Sequence, residues 1–367
     1  MSGLRWGIIG CGDVTEKKSG PAFNKVADSE LVAVMRRDGS KAEDYAKRHG
    51  ISRWYDDADA LIADEAVNAV YIATPPGNHL ELAMKVAEAG KPCYVEKPIA
   101  RSATEALKMV EAFEAAKVPL TVAYYRRALP KFRKLKQIID RGLIGEVASF
   151  QYRMVHKAPV RNEQGEWPWR LQAEHSGGGL FMDVGCHVLD LMQFLFKMNQ
   201  HAQGEAFRNH EQLDVEDEVF IAYPSSRPDF RPMVGFLFSD DLPPVDELCL
   251  FGSNGRVTVP VLEDGPLRFE QPGSSPQELE LPFPENVQQP MIEAVTRHFL
   301  GKGENPCSGR EALITAELMD RALDDYYGGR ADAFWNRPDS WPKPSAEAER
   351  QKHGHSCGDP DCGHDHH

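Results

Sequence analysis

The first 123 residues alternate between two hydrophobic periods, and this alternation restricts the possible fold more than any other feature of the chain. Short apolar strands are predicted at residues 5–10, 30–35, 69–74, 92–96 and 119–124. Helical patterns lie between several of them: residues 78–90 begin with Asn and end on Gly, and residues 102–117 begin with a Ser-x-x-Glu capping box. Strands that alternate with helices predict a parallel sheet covered on both faces.

After about residue 125 the pattern changes to longer strands in which apolar and polar residues alternate. These predicted strands cover residues 146–156, 215–223, 231–239 and 246–252. Helices are predicted at about 128–142, 286–300 and 308–327. We therefore expect an α/β first domain (residues 1–124) and an α+β second domain (125–328) with a large, mostly antiparallel open sheet. Residues 329–367 are rich in Pro, Gly and charge, which predicts an extended or disordered tail.

The charge of the chain argues against several classes of partner. A net charge of −14 makes DNA, RNA or an anionic membrane unfavourable as the main partner. No uninterrupted apolar run approaches the roughly 20 residues needed to span a membrane, and the N-terminus lacks the pattern of a signal peptide. We expect a cytoplasmic protein with no nucleic-acid or membrane partner and with reduced cysteines outside its C-terminal tail.

A glycine-rich turn follows the first strand. Its sequence, GCGDVT, contains Gly10, Cys11, Gly12, Asp13 and Val14. The first glycine allows a tight turn, and the second lets the backbone approach a pyrophosphate. Thr15 stands where the full dinucleotide fingerprint has its third glycine, so the motif alone is weak evidence. Its position directly after the first strand is the main support for a dinucleotide site. We favour a dinucleotide site over a strand-to-helix turn without a ligand.

Basic residues follow the second strand, where NAD sites usually carry an acidic residue that binds the ribose. Arg36 and Arg37 are placed to stack on adenine and to bind a 2′-phosphate, with Ser40 and Lys41 near enough to help. We therefore expect NADP(H) to be preferred, with NAD(H) still accepted. The alternative is a solvated basic turn.

The segment GGGLFMDVGCHVLDL allows three interpretations: a metal site, a catalytic pair or a core helix. Asp183 and His187 are four residues apart and would share one face of a helix. A carboxylate and an imidazole on an otherwise apolar helix need partners, because burying them alone is costly. No HExxH pattern is present, so we expect no metal in the active site and a buried thiol at Cys186.

Several segments, taken in order, resemble the Gfo/Idh/MocA oxidoreductase family over residues 4–328. They are GIIGCG, YDDADALIADEAVNAVYIATPPGNH, YVEKPIA, YYRRALP, WPWR and GGGLFMDVGCHVLDL. The resemblance implies a Rossmann domain joined to a domain whose open sheet often mediates oligomerisation, and hence a homodimer or homotetramer. It also implies hydride transfer between NAD(P) and a hydroxyl or carbonyl carbon of a small sugar, cyclic polyol or related compound.

The resemblance further assigns roles to residues of this chain. Lys97 and His187 would act at the reacting oxygen, with Asp183 supporting them. A histidine titrates near neutrality and suits proton exchange, a lysine can stabilise an oxyanion, and the aspartate could orient the imidazole or take part in a relay. The residues expected beside the cofactor are Thr74, Pro75, Asn78, His79, Glu96, Lys97, Trp169 and Arg170.

Two alternatives to an NAD(P)-dependent oxidoreductase remain. A non-catalytic ligand or redox sensor on the same fold would be expected to lack the lysine or the histidine, and both are present. A metal-handling protein is suggested only by the tail, where weak binding is expected at His353, His355, Cys357, Cys362 and His364. The substrate is not specified by the sequence, although the loop 156–176 is expected to shape the pocket. Arg153, His156, Arg161 and Glu174 could each contact hydroxyls or a carboxylate of the substrate, or form surface pairs.

Overall fold

A computed structural model describes residues 3–197, 202–224 and 231–345. Its N-terminal part contains a six-stranded sheet with the order β3-β2-β1-β4-β5-β6, in which every pairing is parallel. This order reverses between β1 and β4, the point at which open α/β sheets bind ligands. The predicted parallel sheet is confirmed. Its strands are β1 (Leu4–Ile9), β2 (Ser29–Met35), β3 (Arg53–Tyr55), β4 (Ala69–Ile72), β5 (Cys93–Val95) and β6 (Leu120–Val122).

Helices cover this sheet. They are α1 (Gly20–Phe23), α2 (Gly39–His49), α3 (Ala58–Ala63), α4 (His79–Glu88) and α5 (Ala103–Ala116). The Ser102 side chain accepts a hydrogen bond from the backbone of Glu105 and caps α5, whereas the Glu105 carboxylate turns to Arg101. Asn78 makes no side-chain cap to α4, because its backbone already lies in the helical region. A π-helical segment, Thr15–Ser19, joins the glycine turn to α1.

The second sheet has eight strands in the order β14-β13-β12-β11-β7-β10-β9-β8. All pairings are antiparallel except that of β7 with β10, so the predicted mostly antiparallel sheet is confirmed. Its strands are β7 (Val147–His156), β8 (Gln203–Phe207), β9 (Glu218–Ala222), β10 (Met233–Phe238), β11 (Val245–Gly252), β12 (Gly255–Val259), β13 (Leu267–Glu270) and β14 (Gln277–Leu279). The helices of this part are α6 (Pro130–Asp140), α7 (Ala173–Ser176), α8 (Leu180–Phe196), α9 (Gln289–Phe299) and α10 (Gly309–Tyr327).

Helix α8 packs on one face of the second sheet. The rings of Phe181 and Phe236 lie 5.1 Å apart, and those of Phe150 and Phe196 also lie 5.1 Å apart. By length and composition alone, the segment Ala173–Phe196 could cross a membrane. However, 67% of its most apolar 18-residue stretch is buried inside the protein. The expectation concerned uninterrupted apolar runs, and polar residues such as Asp183 and Asp190 interrupt this segment.

The expectation of an extended or disordered segment from residue 329 is wrong as far as residue 345. Arg330 is buried and donates hydrogen bonds to the backbone oxygens of Gly177 and Arg101. The Trp341 ring packs edge-on against Tyr327, with the centroids 4.7 Å apart. The aromatic residues of this segment pack against the protein and hold it in place. The average composition of residues 329–367, rich in Pro, Gly and charge, did not predict this packing. The predicted metal ligands between residues 353 and 364 lie outside the described residues.

Candidate functional site

A cleft of about 1040 Å³ lies at the carboxyl ends of β1, β2, β4 and β5 and extends to the first turns of α8. The cleft brings together nearly all of the predicted site residues that lie in the described part of the chain. Those that line it are Gly10, Cys11, Gly12, Asp13, Val14, Arg36, Arg37, Thr74, Pro75, Asn78, Glu96, Lys97, Trp169, Arg170, Asp183 and His187.

The glycine turn has the geometry that a dinucleotide requires. Gly10 has a φ of +95°, and a Cβ there would lie 2.8 Å from the Thr74 side chain, so only glycine fits. At Gly12 the nearest atom to such a Cβ would be 4.0 Å away, which leaves open space for a pyrophosphate. Thr15 replaces the third glycine without harm, because its hydroxyl donates to the Gly12 oxygen at 2.8 Å. These residues fit the cofactor.

The end of β2 presents both basic and acidic side chains to the cleft. Arg36 donates from Nη1 to the Cys11 backbone oxygen at 3.3 Å, and Arg37 lies beside it. Asp38, which sequence reasoning passed over, caps α2 and accepts a hydrogen bond from Ser40 at 2.6 Å. The Lys41 ammonium lies 3.5 Å from Asp38. Ser40 and Lys41 therefore engage Asp38, and the two arginines are the stronger candidates for a 2′-phosphate.

Lys97 and Asp183 form the central ion pair of the cleft. The Lys97 ammonium lies 2.6 Å from Asp183 Oδ1, and Arg170 Nε donates to Oδ2 at 2.9 Å. Burial opposes the charge of Lys97, but the surrounding acidic groups, Asp183 foremost, together outweigh burial and raise the pKa of the lysine. Burial likewise opposes the charge of Asp183, but Lys97 and then Arg170 lower the pKa of its carboxyl group to about 2. Both groups are therefore charged at neutral pH.

His187 is buried beside this pair but is not bonded to it. Its ring packs edge-on against Tyr125, with the centroids 5.0 Å apart, and Nδ1 has no hydrogen-bond partner among the described residues. Burial, followed by the positive charges of Lys97, Arg126 and Lys18, lowers its pKa well below the usual value. The Asp183 carboxylate does not accept a hydrogen bond from the imidazole that it was expected to orient, and its two oxygens accept from Lys97 and Arg170 instead.

His79 does not line the cleft, so its predicted direct contact with the cofactor is wrong. The imidazole is fully buried. Its Nε2 lies 2.8 Å from the Thr74 oxygen, and its Nδ1 lies 3.1 Å from the Pro98 oxygen. Burial lowers its pKa. His79 ties together the two cleft loops that follow β4 and β5, and a histidine next to a Pro-Gly turn gives no sequence signal for that role.

Glu96 is held by a buried network that sequence reasoning missed. Its carboxylate accepts hydrogen bonds from Tyr71 at 2.5 Å, from Gln288 at 2.6 Å and from the backbone of Lys97 at 3.2 Å. Gln288 precedes α9 and is distant in sequence, so no local motif could have identified it. Three donors satisfy this buried carboxylate and fix the start of the loop that carries Lys97.

Asp190 and Cys186, the two other residues of α8 considered as metal ligands, have structural partners. Asp190 forms a bidentate ion pair with Arg127 at 2.7 and 2.8 Å. Cys186 is a buried thiol, as expected, and burial raises its pKa to about 12. Across residues 3–197, 202–224 and 231–345, no cluster of three His, Cys, Asp or Glu side chains could hold a metal ion.

Of the four residues suggested to contact substrate, only His156 lines the cleft. Arg161 stacks on Trp167 instead, with its guanidinium carbon 4.3 Å from the ring centroid. Arg153 is exposed on β7, and Glu174 lies in α7 with its backbone oxygen bonded to Arg101. Cleft residues absent from the expected set include Lys18, Tyr125 and Arg126; the last two belong to the YYRR segment, whose position after β6 was the available signal.

Comparison with known proteins agrees with this geometry. Residues 4–124 match the oxidoreductase family with an NAD-binding Rossmann fold, and residues 132–224 match the GFO/IDH/MocA C-terminal domain. An oxidoreductase of Formosa agariphila is 38% identical over 332 residues, covering 87% of this chain and 98% of that protein. The NADP(+)-dependent D-xylose 1-dehydrogenase of Haloarcula marismortui is 31% identical over 222 residues, covering 59% of this chain and 61% of the relative.

The fold also matches that of levoglucosan dehydrogenase, solved in complex with NADH and levoglucosan. The TM-score is 0.77 at 19% sequence identity, and the match covers 88% of this chain and 98% of the other. At that identity the likeness concerns the fold alone. The two family matches and the relative from Formosa agariphila carry the assignment by themselves: the chain belongs to the Gfo/Idh/MocA oxidoreductase family.

Proposed function

We propose that the protein transfers a hydride between NAD(P) and a hydroxyl or carbonyl carbon of a sugar, cyclic polyol or related compound. One observation carries this proposal. Lys97, Asp183, Arg170 and His187 share a cleft with a glycine turn that fits a dinucleotide. Two family members whose names state an activity, D-xylose 1-dehydrogenase and scyllo-inositol 2-dehydrogenase, act on a sugar and a polyol.

The side chains have distinct tasks in this reaction. When bound, the nicotinamide donates or accepts the hydride. Lys97 stays cationic because Asp183 raises its pKa, and it stabilises negative charge that develops on the reacting oxygen. His187 is neutral and can take the hydroxyl proton during oxidation. In the reverse direction it must first bind a proton from solvent before it can give one to the reacting oxygen. Asp183 acts through Lys97, since its carboxylate holds the ammonium in place.

We further propose that NADP(H) is preferred over NAD(H). Arg36 and Arg37 line the cleft at the end of β2, the position at which Rossmann folds usually bind the adenine ribose. Asp38 is occupied as the cap of α2. A guanidinium pair favours a 2′-phosphate over a 2′-hydroxyl. The related proteins use either cofactor, since one is named for NADP(+) and another was solved with NADH. Dissociation constants measured for both reduced cofactors test the preference, and tighter binding of NADH would refute it.

Turnover of a panel of sugars, polyols and their oxidised forms, followed by NADPH absorbance, tests the activity. Lys97→Ala and His187→Ala are expected to abolish most turnover while retaining cofactor binding. Lys108→Ala, an exposed lysine of α5 outside the cleft, is the matched control. Near-normal turnover in both active-site variants would refute the assigned roles. Cofactor binding without turnover of any compound would favour the sensor function instead.

We also propose that the protein forms a homodimer or homotetramer through the outer face of its second sheet. On β9 the side chains of Val219 and Ile221 are buried, whereas Phe220, which points to the opposite face, is 39% exposed. An exposed aromatic residue on an open sheet suits a symmetric interface. Light scattering of the wild type and of Phe220→Lys would test this, and a monomeric wild type would refute it.

A further inference from the structure

The cleft contains a second set of cations that the acid–base group does not use. Arg126 lines the cleft although only 5% of it is exposed. Its Nη1 donates to the Val261 oxygen at 2.6 Å and its Nη2 to the Leu262 oxygen at 3.3 Å. Its Nε has no partner among the described residues. Each acceptor bonded to this guanidinium is therefore a neutral carbonyl oxygen.

The neighbouring Arg127 shows the contrast. It is equally buried, and it forms ion pairs with Asp190 at 2.7 Å and with Glu311 at 2.8 Å. A buried cation that lacks an anionic partner is costly. Arg126 carries that cost beside a ligand cleft, and its planar donors match the geometry of a carboxylate or phosphate. This pattern indicates that a ligand supplies the missing negative charge.

Lys18 lines the same cleft from the π-helical segment that follows the glycine turn. Its backbone oxygen accepts a hydrogen bond from the Gln288 backbone at 3.2 Å, which fixes its position relative to the start of α9. After burial and Lys97, the charges of Arg126 and Lys18 are the ones that lower the pKa of His187. Both cations therefore lie within electrostatic reach of the reacting centre.

The acidic side chains of the cleft near His187 do not compensate these charges. Asp183 is neutralised by Lys97 and Arg170, and Glu96 is occupied by its three hydrogen-bond donors. Glu263 also lines the cleft, but it is exposed, and the surrounding solvent screens its charge. Among the described residues, the buried positive charge without an anionic partner is that of Arg126, and the exposed Lys18 adds a solvent-screened positive charge to the same cleft.

We infer that the substrate carries an anionic oxygen group, a carboxylate or a phosphate, which Arg126 and Lys18 bind while the reacting carbon faces Lys97 and His187. The substrate class would then be a sugar acid or a sugar phosphate rather than a neutral sugar or polyol. This inference rests on the proposed function, because it treats the same cleft as the substrate site.

Binding to the NADPH-loaded protein tests the inference without requiring turnover. Quenching of nicotinamide fluorescence is titrated with two matched pairs, D-gluconate against D-glucitol and D-glucose 6-phosphate against D-glucose. At least one anionic compound is expected to bind about 10- to 100-fold more tightly than its neutral partner, as for hydrogen bonds to charged groups. The two pairs distinguish a carboxylate from a phosphate, and higher salt is expected to reduce the difference.

Variants assign the effect to the two cations. Lys18→Gln and Arg126→Lys are expected to reduce the advantage of the anionic compound at least several-fold while changing binding of the neutral one little. Lys17→Gln is the matched control, because Lys17 is exposed on the same segment and does not line the cleft. It should leave both affinities unchanged.

Equal binding of charged and neutral partners, an advantage unaffected by either variant, or no binding of any anionic probe would overturn the inference. Turnover of neutral sugars in that case would leave the proposed function standing. Conversely, strong anion binding without turnover of any compound would retain the ligand class and overturn the proposed function. The two failures are therefore distinguishable.

Discussion

The Lys97 ammonium donates to both the side chain and the backbone of Asp183, at 2.6 Å from Oδ1 and 2.9 Å from the carbonyl oxygen. The lysine follows β5 of the parallel sheet, whereas the aspartate lies in the first turn of α8, which packs on the second sheet. The ion pair therefore joins the two parts of the molecule at the cleft. Its geometry depends on how α8 docks against the end of β5.

Replacing Asp183 with Asn removes the charge that holds Lys97 in place. Because Asp183 raises the pKa of Lys97, the variant lysine should lose its proton at a lower pH. We expect kcat to fall by about 10²-fold, the usual effect of a misplaced catalytic group, and the alkaline limb of the pH–rate profile to move to lower pH. Steady-state kinetics between neutral and alkaline pH measure both effects. An unchanged alkaline limb would exclude this role for Asp183.

The buried neutral His187 should make the protein sensitive to acid. Its pKa is lowered in the folded state, so below about pH 6.5 the unfolded chain binds a proton that the folded chain does not. The contribution of this group to the free energy of unfolding is present above the pKa of the unfolded state. It is lost as pH falls below that value, by up to about 1.4 kcal/mol per pH unit. His79 contributes with the same sign.

Denaturant unfolding from pH 7 to 5 should therefore show a smaller loss of unfolding free energy in His187→Gln than in the wild type. His79 remains in this variant, so part of the pH dependence should persist. Parallel curves for the two proteins would contradict a lowered pKa at His187.

Removing both guanidinium groups after β2 should weaken binding of NADP(H) selectively. For the double variant Arg36→Ala, Arg37→Ala we expect about a 10- to 100-fold higher KM for NADPH, from the loss of charged hydrogen bonds, and a much smaller change for NADH. Arg133→Ala, an exposed arginine of α6 outside the cleft, is the control. Equal losses for the two cofactors would show that the arginines do not bind a 2′-phosphate.

Arg330 should be important for stability although it lies beyond the last long helix. Its guanidinium is buried, paired with Asp320 at 2.8 Å and bonded to the backbone that leads into α8. Arg330→Ala leaves these acceptors without a donor and should destabilise the fold by about 3–5 kcal/mol, as for other broken buried pairs. Thermal unfolding measures this change. A loss below 1 kcal/mol would show that the buried pair of Arg330 and Asp320 contributes little to the stability of the fold.

Removal of residues 346–367 should leave both the stability and the turnover of the protein unchanged. This segment contains all of the proposed metal ligands of the tail, whereas the residues described as lining the cleft all precede it in the sequence. We expect kcat and the thermal midpoint of the truncated protein to match those of the full chain, while its binding of Ni²⁺ or Zn²⁺ weakens. A large loss of turnover would connect the tail with catalysis.

The sequence by itself determined the elements whose signals are local. Alternating hydrophobic periods identified the parallel sheet, and glycine at positions 10 and 12 identified the turn, because a backbone at positive φ and a close ligand approach exclude side chains. The roles of Lys97, Asp183 and His187 came from the resemblance to the family, and a core helix was one of three interpretations of the segment that carries the last two. The strand β3 was missed because its three residues are largely exposed and begin with Arg, whereas the equally short β5 and β6 are buried and apolar.

Only the tertiary structure decided which groups these side chains contact. The spacing of Asp183 and His187 placed them on one helical face, but the docking of β5 and the loop before α7 gave both carboxylate oxygens to Lys97 and Arg170. Packing also withdrew His79 from the cleft and brought Gln288 to Glu96 across 192 positions of the chain. Hydrogen bonds and ion pairs act over a few ångströms, and only the folded chain sets which distant residues come that close.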